Sequence, residues 1–178
     1  MMGERCRDKS RHGTHECVRH VLPALSGGPI RVEIRRSLGA HLAATSIRGR
    51  TILLDREVLT RRGEFERILI HEVFHFVWVR LGNPLRRDWE RVLETEFHQG
   101  AKGELGWSAE WRKYKLPVRA RRMRNPAWRR YACESFCDSA AWMFAGLRSH
   151  DEFTLPGRFR RRRQSWFERN FRGGAVRI

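Results

Sequence analysis

The chain of 178 residues has no stretch near the roughly 18–20 consecutive apolar residues that a membrane-spanning helix needs. Its opening, Met1-Met2-Gly3-Glu4-Arg5-Cys6-Arg7-Asp8-Lys9, is charged, and Val21-Leu22-Pro23-Ala24-Leu25 is too short for the apolar part of a secretion signal. A soluble, cytoplasmic protein is expected. Cysteine is scarce as well, with four in the chain, which excludes a dense secreted disulfide framework. Cys133 and Cys137 lie four apart in a helical-looking segment and read as small core residues. Cys6, His12, His15, Cys17 and His20 match no common zinc spacing and read as part of a flexible segment.

Acidic residues are outnumbered, 20 against 37 basic ones, for a formal charge of +17. The excess is local. Residues 118–131 hold six Arg and no acid, and residues 158–178 hold eight Arg and one Glu. The remainder is close to charge balance, and 40% hydrophobic residues with seven Trp and ten Phe suit a packed globular domain. The two basic segments are candidate contacts for nucleic-acid phosphates. Trp128, Trp166, Phe167 and Phe171 are interleaved where they can stack on bases. The competing reading is a solvated charge run without a ligand.

Three divisions follow: a flexible N-terminal segment 1–29 ending in Ser26-Gly27-Gly28-Pro29, a globular domain 30–157, and an Arg-rich C-terminal tail 158–178. Within the domain, strand-like runs cover residues 30–34, 41–47 and 50–55, with Arg48-Gly49 as a hairpin turn. The pattern then predicts helices over residues 64–81, 85–99 and about 126–146, with an aromatic-rich ordered loop over 100–117. The expected class is α+β, a small antiparallel or mixed sheet packed on helices.

The first helix carries His71-Glu72-Val73-Phe74-His75. Histidines at i and i+4 leave one helix face, so both imidazoles can grip one ion, and Zn²⁺ suits neutral imidazole nitrogen. Glu72 is displaced round the helix, where its carboxylate can take a proton from a zinc-bound water. Phe65, Ile68, Leu69, Phe74, Phe76, Val77 and Leu81 leave the helix little polar face, and burying two histidines and a glutamate is costly unless they are paired. A catalytic zinc wants a third protein ligand. Glu134 is the best candidate; Asp138, one turn on, can accept the outer N–H of a ligand histidine.

His71-Glu72-x-x-His75 followed by Glu134-x-x-x-Asp138 resembles the gluzincin metallopeptidases, and the short hairpin before the first helix resembles their small, intracellular ImmA/IrrE-like branch. The resemblance spans residues 45–146. It implies a zincin-like fold, with one helix bearing the first motif and a second bearing the Glu134–Asp138 motif. It also implies zinc held by His71, His75 and Glu134, Glu72 as catalytic base and acid, Asp138 orienting a ligand, and Thr51-Ile52-Leu53-Leu54 edging the cleft. The implied activity is peptide-bond hydrolysis. Tyr131 is a candidate oxyanion stabiliser, with Tyr114, His98 and His150 behind it.

One feature departs from the pattern. Glu134 lies 59 residues beyond His75, from 75 to 134, a longer gap than in the compact members. The insertion, about residues 85–125, is expected to roof the cleft or build a substrate pocket. His98 then competes as third ligand, and a third histidine would resemble the SprT-like, DNA-associated metalloproteases instead. A zinc-binding regulatory module without protease activity uses the same ligands.

Overall fold

Strand formation begins where the chain alternates. In the computed structural model, which describes residues 22–61, 63–117, 119–121 and 123–178, the order is β1 (Leu25–Ser26), β2 (Arg31–Arg35), β3 (Ala43–Ser46) and β4 (Thr51–Asp55). A 3₁₀ turn (Arg56–Thr60) leads to α1 (Glu64–Arg80), α2 (Asn83–His98), α3 (Trp107–Tyr114), α4 (Pro126–Phe144), α5 (Gly157–Phe171) and β5 (Val176–Arg177). The chain is α+β. Most of the N-terminal segment, with Cys6, His12, His15, Cys17 and His20, lies outside the described residues.

The main sheet has the order β2-β4-β3, with β2 parallel and β3 antiparallel to β4. Ser46 opposite Thr51 closes the expected hairpin around residues 47–50. Ile52 and Leu54 are fully buried and pack with Val58 on Ile68 and Phe76 of α1. β4 is therefore the middle strand and does not edge the cleft, contrary to what the family resemblance implied for Thr51–Leu54; of the two edge strands, β3 is the one beside the cleft.

Helix boundaries follow local chemistry. Asp55 ends β4 and caps the 3₁₀ turn, accepting from the backbone N–H of Glu57 at 2.9 Å and of Leu38 at 2.7 Å. These two donors hold its carboxyl below the ordinary value. Gly63 precedes α1 at φ 80°, a left-handed turn that favours glycine, and it packs against the tip of Leu147. Asn125 caps α4, its Oδ1 accepting from the Trp128 N–H at 3.0 Å, with Pro126 in the first turn.

The helices enclose an aromatic core in which Phe74, Trp89, Phe136, Trp166 and Phe167 are buried and in mutual contact. Phe136 and Phe167 stack at 5.1 Å. Each buried indole N–H is satisfied: Trp89 donates to the Ala132 carbonyl, Trp128 to Glu90 and Trp166 to Asp88.

Two expectations about the chain's divisions change. Residues 157–171 form a packed helix rather than a basic tail. Phe159, Arg163, Trp166 and Phe167 recur at helical spacing and face inward, while Arg158, Arg161 and Arg169 are exposed. Residues 25–26 pair with 176–177 as parallel strands β1 and β5, so the two ends of the described chain are tied together. Arg50 fastens that junction, donating to the carbonyls of Pro29 and Ile178.

Arg163 is fully buried yet fully paired. Its guanidinium donates to Glu96 of α2 at 2.7 Å and to Glu104 at 2.7 Å, and Lys113 reaches Glu104 at 3.0 Å. Burial pushes the Glu104 carboxyl up, but Arg163 and Lys113 outweigh it and hold the group below 4.5. Arg163→Met is expected to cost about 3–5 kcal/mol in urea unfolding, because it strands the buried Glu96 carboxylate and leaves Glu104 with Lys113 as its one cation among the described residues. With Glu104 depressed in the folded state, its contribution is complete above the ordinary carboxylate pKa and is lost as pH falls through the folded one. A loss under about 1 kcal/mol would show that the network is not a structural tie.

Candidate metal centre

α1 and α4 pack directly on each other, which brings the two motifs face to face. The Nε2 atoms of His71 and His75 lie 3.3 Å and 3.9 Å from one and the same carboxylate oxygen, Oε2 of Glu134. The other oxygen, Oε1, is held by Arg112 of α3 at 3.0 Å. The arginine therefore fixes the carboxylate and leaves one oxygen turned toward the imidazoles.

Asp138 does what its position one turn beyond Glu134 suggests. Its Oδ1 lies 2.7 Å from His71 Nδ1, and its Oδ2 accepts the backbone N–H of Ala109 at 3.0 Å. A proton on Nδ1 leaves the Nε2 lone pair facing Glu134, the tautomer a metal ligand needs. Burial opposes charge on His71, yet Asp138, Glu134 and Glu72 outweigh it and raise its pKa well above the usual 6.5. Burial likewise opposes charge on His75, which the Cys133 contact and Glu134 nevertheless hold above 6.5. The site thus attracts positive charge, the property of a cation pocket whose ion displaces protons on binding. Two imidazoles and a carboxylate within this spacing fit a zinc ion.

His75 has a different outer partner. Its Nδ1 lies 3.5 Å from Sγ of both Cys133 and Cys137. Hydrogen bonding from Cys137, then the contact with His75, holds the Cys133 thiol down to about 6 against burial. His71, His75 and Cys137 also bring donor atoms within 4.8 Å of one another. Glu134 is nonetheless placed differently, with one oxygen turned toward the Nε2 atoms of both histidines. Cys137 instead sits at the outer nitrogen of His75, Nδ1, rather than at the Nε2 that faces Glu134.

A second cluster, Glu64, His150 and Glu152, also meets the spacing for an ion. There, however, Arg67 already bridges the two carboxylates at 2.7 Å and 2.9 Å, so a cation of the chain itself lies between them. Of this cluster Glu152, with Arg67, lines a cleft of about 270 Å³ that is lined also by His41, His71, Glu72, Trp107 and Ser108. Glu72 faces this cleft and accepts from the Thr45 hydroxyl of β3 at 2.6 Å.

His71, Glu72, His75, Glu134 and Asp138 therefore come together as a group. Tyr131 does not join them: it is buried on the far side of α4's register, and its hydroxyl donates to Glu104 at 2.5 Å. Burial and the Glu104 charge push its phenol well above the ordinary value, so it remains a donor committed to the core. His98 is exposed at the end of α2, Tyr114 is exposed on α3, and His150 is engaged with Glu64 at 2.6 Å. Sequence reading missed Arg112, Thr45 and Gly106. Gly106 is required because a Cβ there would lie 2.3 Å from the Asp138 carboxyl. The signal available for it was the Gly-rich turn Gly103-Glu104-Leu105-Gly106 just before α3.

Comparison of the chain with protein-family models, with curated proteins and with solved structures gives no match.

Asp138→Asn keeps the shape but sets an NH₂ group against either His71 or Ala109. Metal affinity is expected to fall about 10–100-fold in a chelator-competition titration. An unchanged affinity would contradict the orienting role.

Proposed function

We propose that this chain is a zinc-dependent metallopeptidase of gluzincin type, with His71, His75 and Glu134 as ligands, Asp138 orienting His71, and Glu72 as catalytic base and acid. The observation that carries the reading is the single Glu134 oxygen placed against both Nε2 atoms while Asp138 holds the outer nitrogen of His71. A bound zinc ion supplies Lewis acidity, lowering the pKa of a water and polarising a carbonyl. Glu72 takes a proton from the attacking water and delivers it to the leaving amine. Its bond from Thr45 aims the carboxylate across the cleft.

Peptide as the substrate class is supported by the cleft's border. β3 pairs with β4 on one side only, and residues 40–43 at its start line the cleft. An extended peptide laid along that edge gains main-chain hydrogen bonds regardless of its side chains. The alternative SprT-like reading needs a third histidine, and the exposure of His98 at the end of α2 speaks against it. Nucleic-acid contacts through residues 118–131 and 158–178 are compatible with the peptidase reading as a targeting device; in the second segment they are confined to the outward face of α5.

Glu72→Gln is expected to keep its zinc and to lose about 10²–10⁴-fold in cleavage of an unfolded protein substrate. Loss of neither zinc nor cleavage would remove Glu72 from the mechanism. A zinc-replete wild type with no cleavage of any unfolded protein would favour a regulatory module.

A further inference from the structure

A second concavity lies apart from the metal centre, where the first turns of α2 and α4 meet. It encloses about 390 Å³ and is lined by Arg86, Arg87, Arg124, Arg129, Glu90 and Trp78. The volume falls in the range of small-molecule sites, roughly 300–1,000 Å³. Four guanidinium groups and one carboxylate leave a net charge of +3 (four minus one) in the lining. The carboxylate is not available to neutralise the others. Glu90 is buried, held by Arg124 at 2.5 Å and by the Trp128 indole N–H at 3.2 Å.

The remaining arginines differ in what they do. Arg86 donates to the α1 carbonyls of Trp78 and Val79 and lies over the Trp78 ring. Arg87 and Arg129 are exposed, and among the described residues neither has a carboxylate partner. Arg124 sits at φ 43°, a left-handed conformation uncommon for a long side chain, at the point where the chain turns into α4. The N-terminal ends of two long helices add partial positive charge to the same space. Bringing like charges together in a concave space is unfavourable unless an anion offsets them.

We propose that this cavity binds a polyphosphate group of two or more linked phosphates, of the kind carried by free nucleotides. Guanidinium forks match phosphate oxygens in pairs, and the two forks of Arg87 and Arg129, unengaged among the described residues, line one space and suit linked phosphates better than a single carboxylate. The site uses none of the metal-centre residues and stands independently of the peptidase reading.

The test is calorimetric titration of the full chain with inorganic triphosphate, with ATP and with a single-stranded oligonucleotide, at physiological salt and without added divalent cation. Arg87→Glu/Arg129→Glu is compared with Arg36→Glu/Arg48→Glu, which makes the same charge change at exposed positions on the sheet side. Triphosphate and ATP are expected to bind saturably, with affinity reduced about tenfold or more in the first variant and little changed in the second. Tighter binding of ATP than of triphosphate identifies the nucleotide as the source; equal binding identifies the phosphates alone. Binding of the oligonucleotide only, or an equal loss in both variants, would overturn the cavity in favour of diffuse surface charge. No binding of any of the three would overturn it outright.

Discussion

The Asp138 carboxylate ties three helices to one imidazole. One oxygen takes His71 of α1 and the other takes the Ala109 N–H of α3, while the group itself projects from α4 against the backbone of Gly106. A buried carboxylate is costly unless hydrogen-bonded, and here both oxygens are used. The consequence runs outward. With His71 fixed, its Nε2 meets Glu134; with α3 docked, Arg112 reaches the other Glu134 oxygen. The proposed metal ligands thus inherit their geometry from a residue that is not proposed as a ligand.

The same economy of placement explains the long segment between the two motifs. α2 and α3 do not merely lengthen the loop. Glu96 of α2 and Glu104 just before α3 both end on Arg163 of α5, and Tyr131, Lys113 and Ser135 complete the environment of Glu104. This buried network holds the insertion against α4, and the start of α3 then closes over the Asp138 side of the cleft. That this segment packs as helices, rather than as a free loop, rests on ion pairs that no local pattern announces.

Legibility in the sequence divides along that line. His71, Glu72, His75, Glu134 and Asp138 were readable because each depends on helical spacing within its own element, and because polar residues in apolar helices demand partners. The middle position of β4, by contrast, depends on β2 pairing parallel across the hairpin, a non-local choice that alternation does not encode. α5 was hidden because its long arginine run masks Phe159, Arg163, Trp166 and Phe167 at helical spacing. Tyr131 was misplaced by sequence proximity to Glu134. Three residues along a helix turn the side chain by about 300°, close to the same face but not on it, and a partner as strong as Glu104 settles the difference.

The central claim, that Glu134 completes a zinc site begun by His71 and His75, is tested most directly by metal content after dialysis against a chelator of graded strength. Wild type and His98→Ala are expected to retain about one zinc per chain, while Glu134→Ala loses it at a much lower chelator concentration. Equal retention by Glu134→Ala, with loss in His98→Ala or Cys137→Ala, would contradict the assignment and move the third ligand elsewhere.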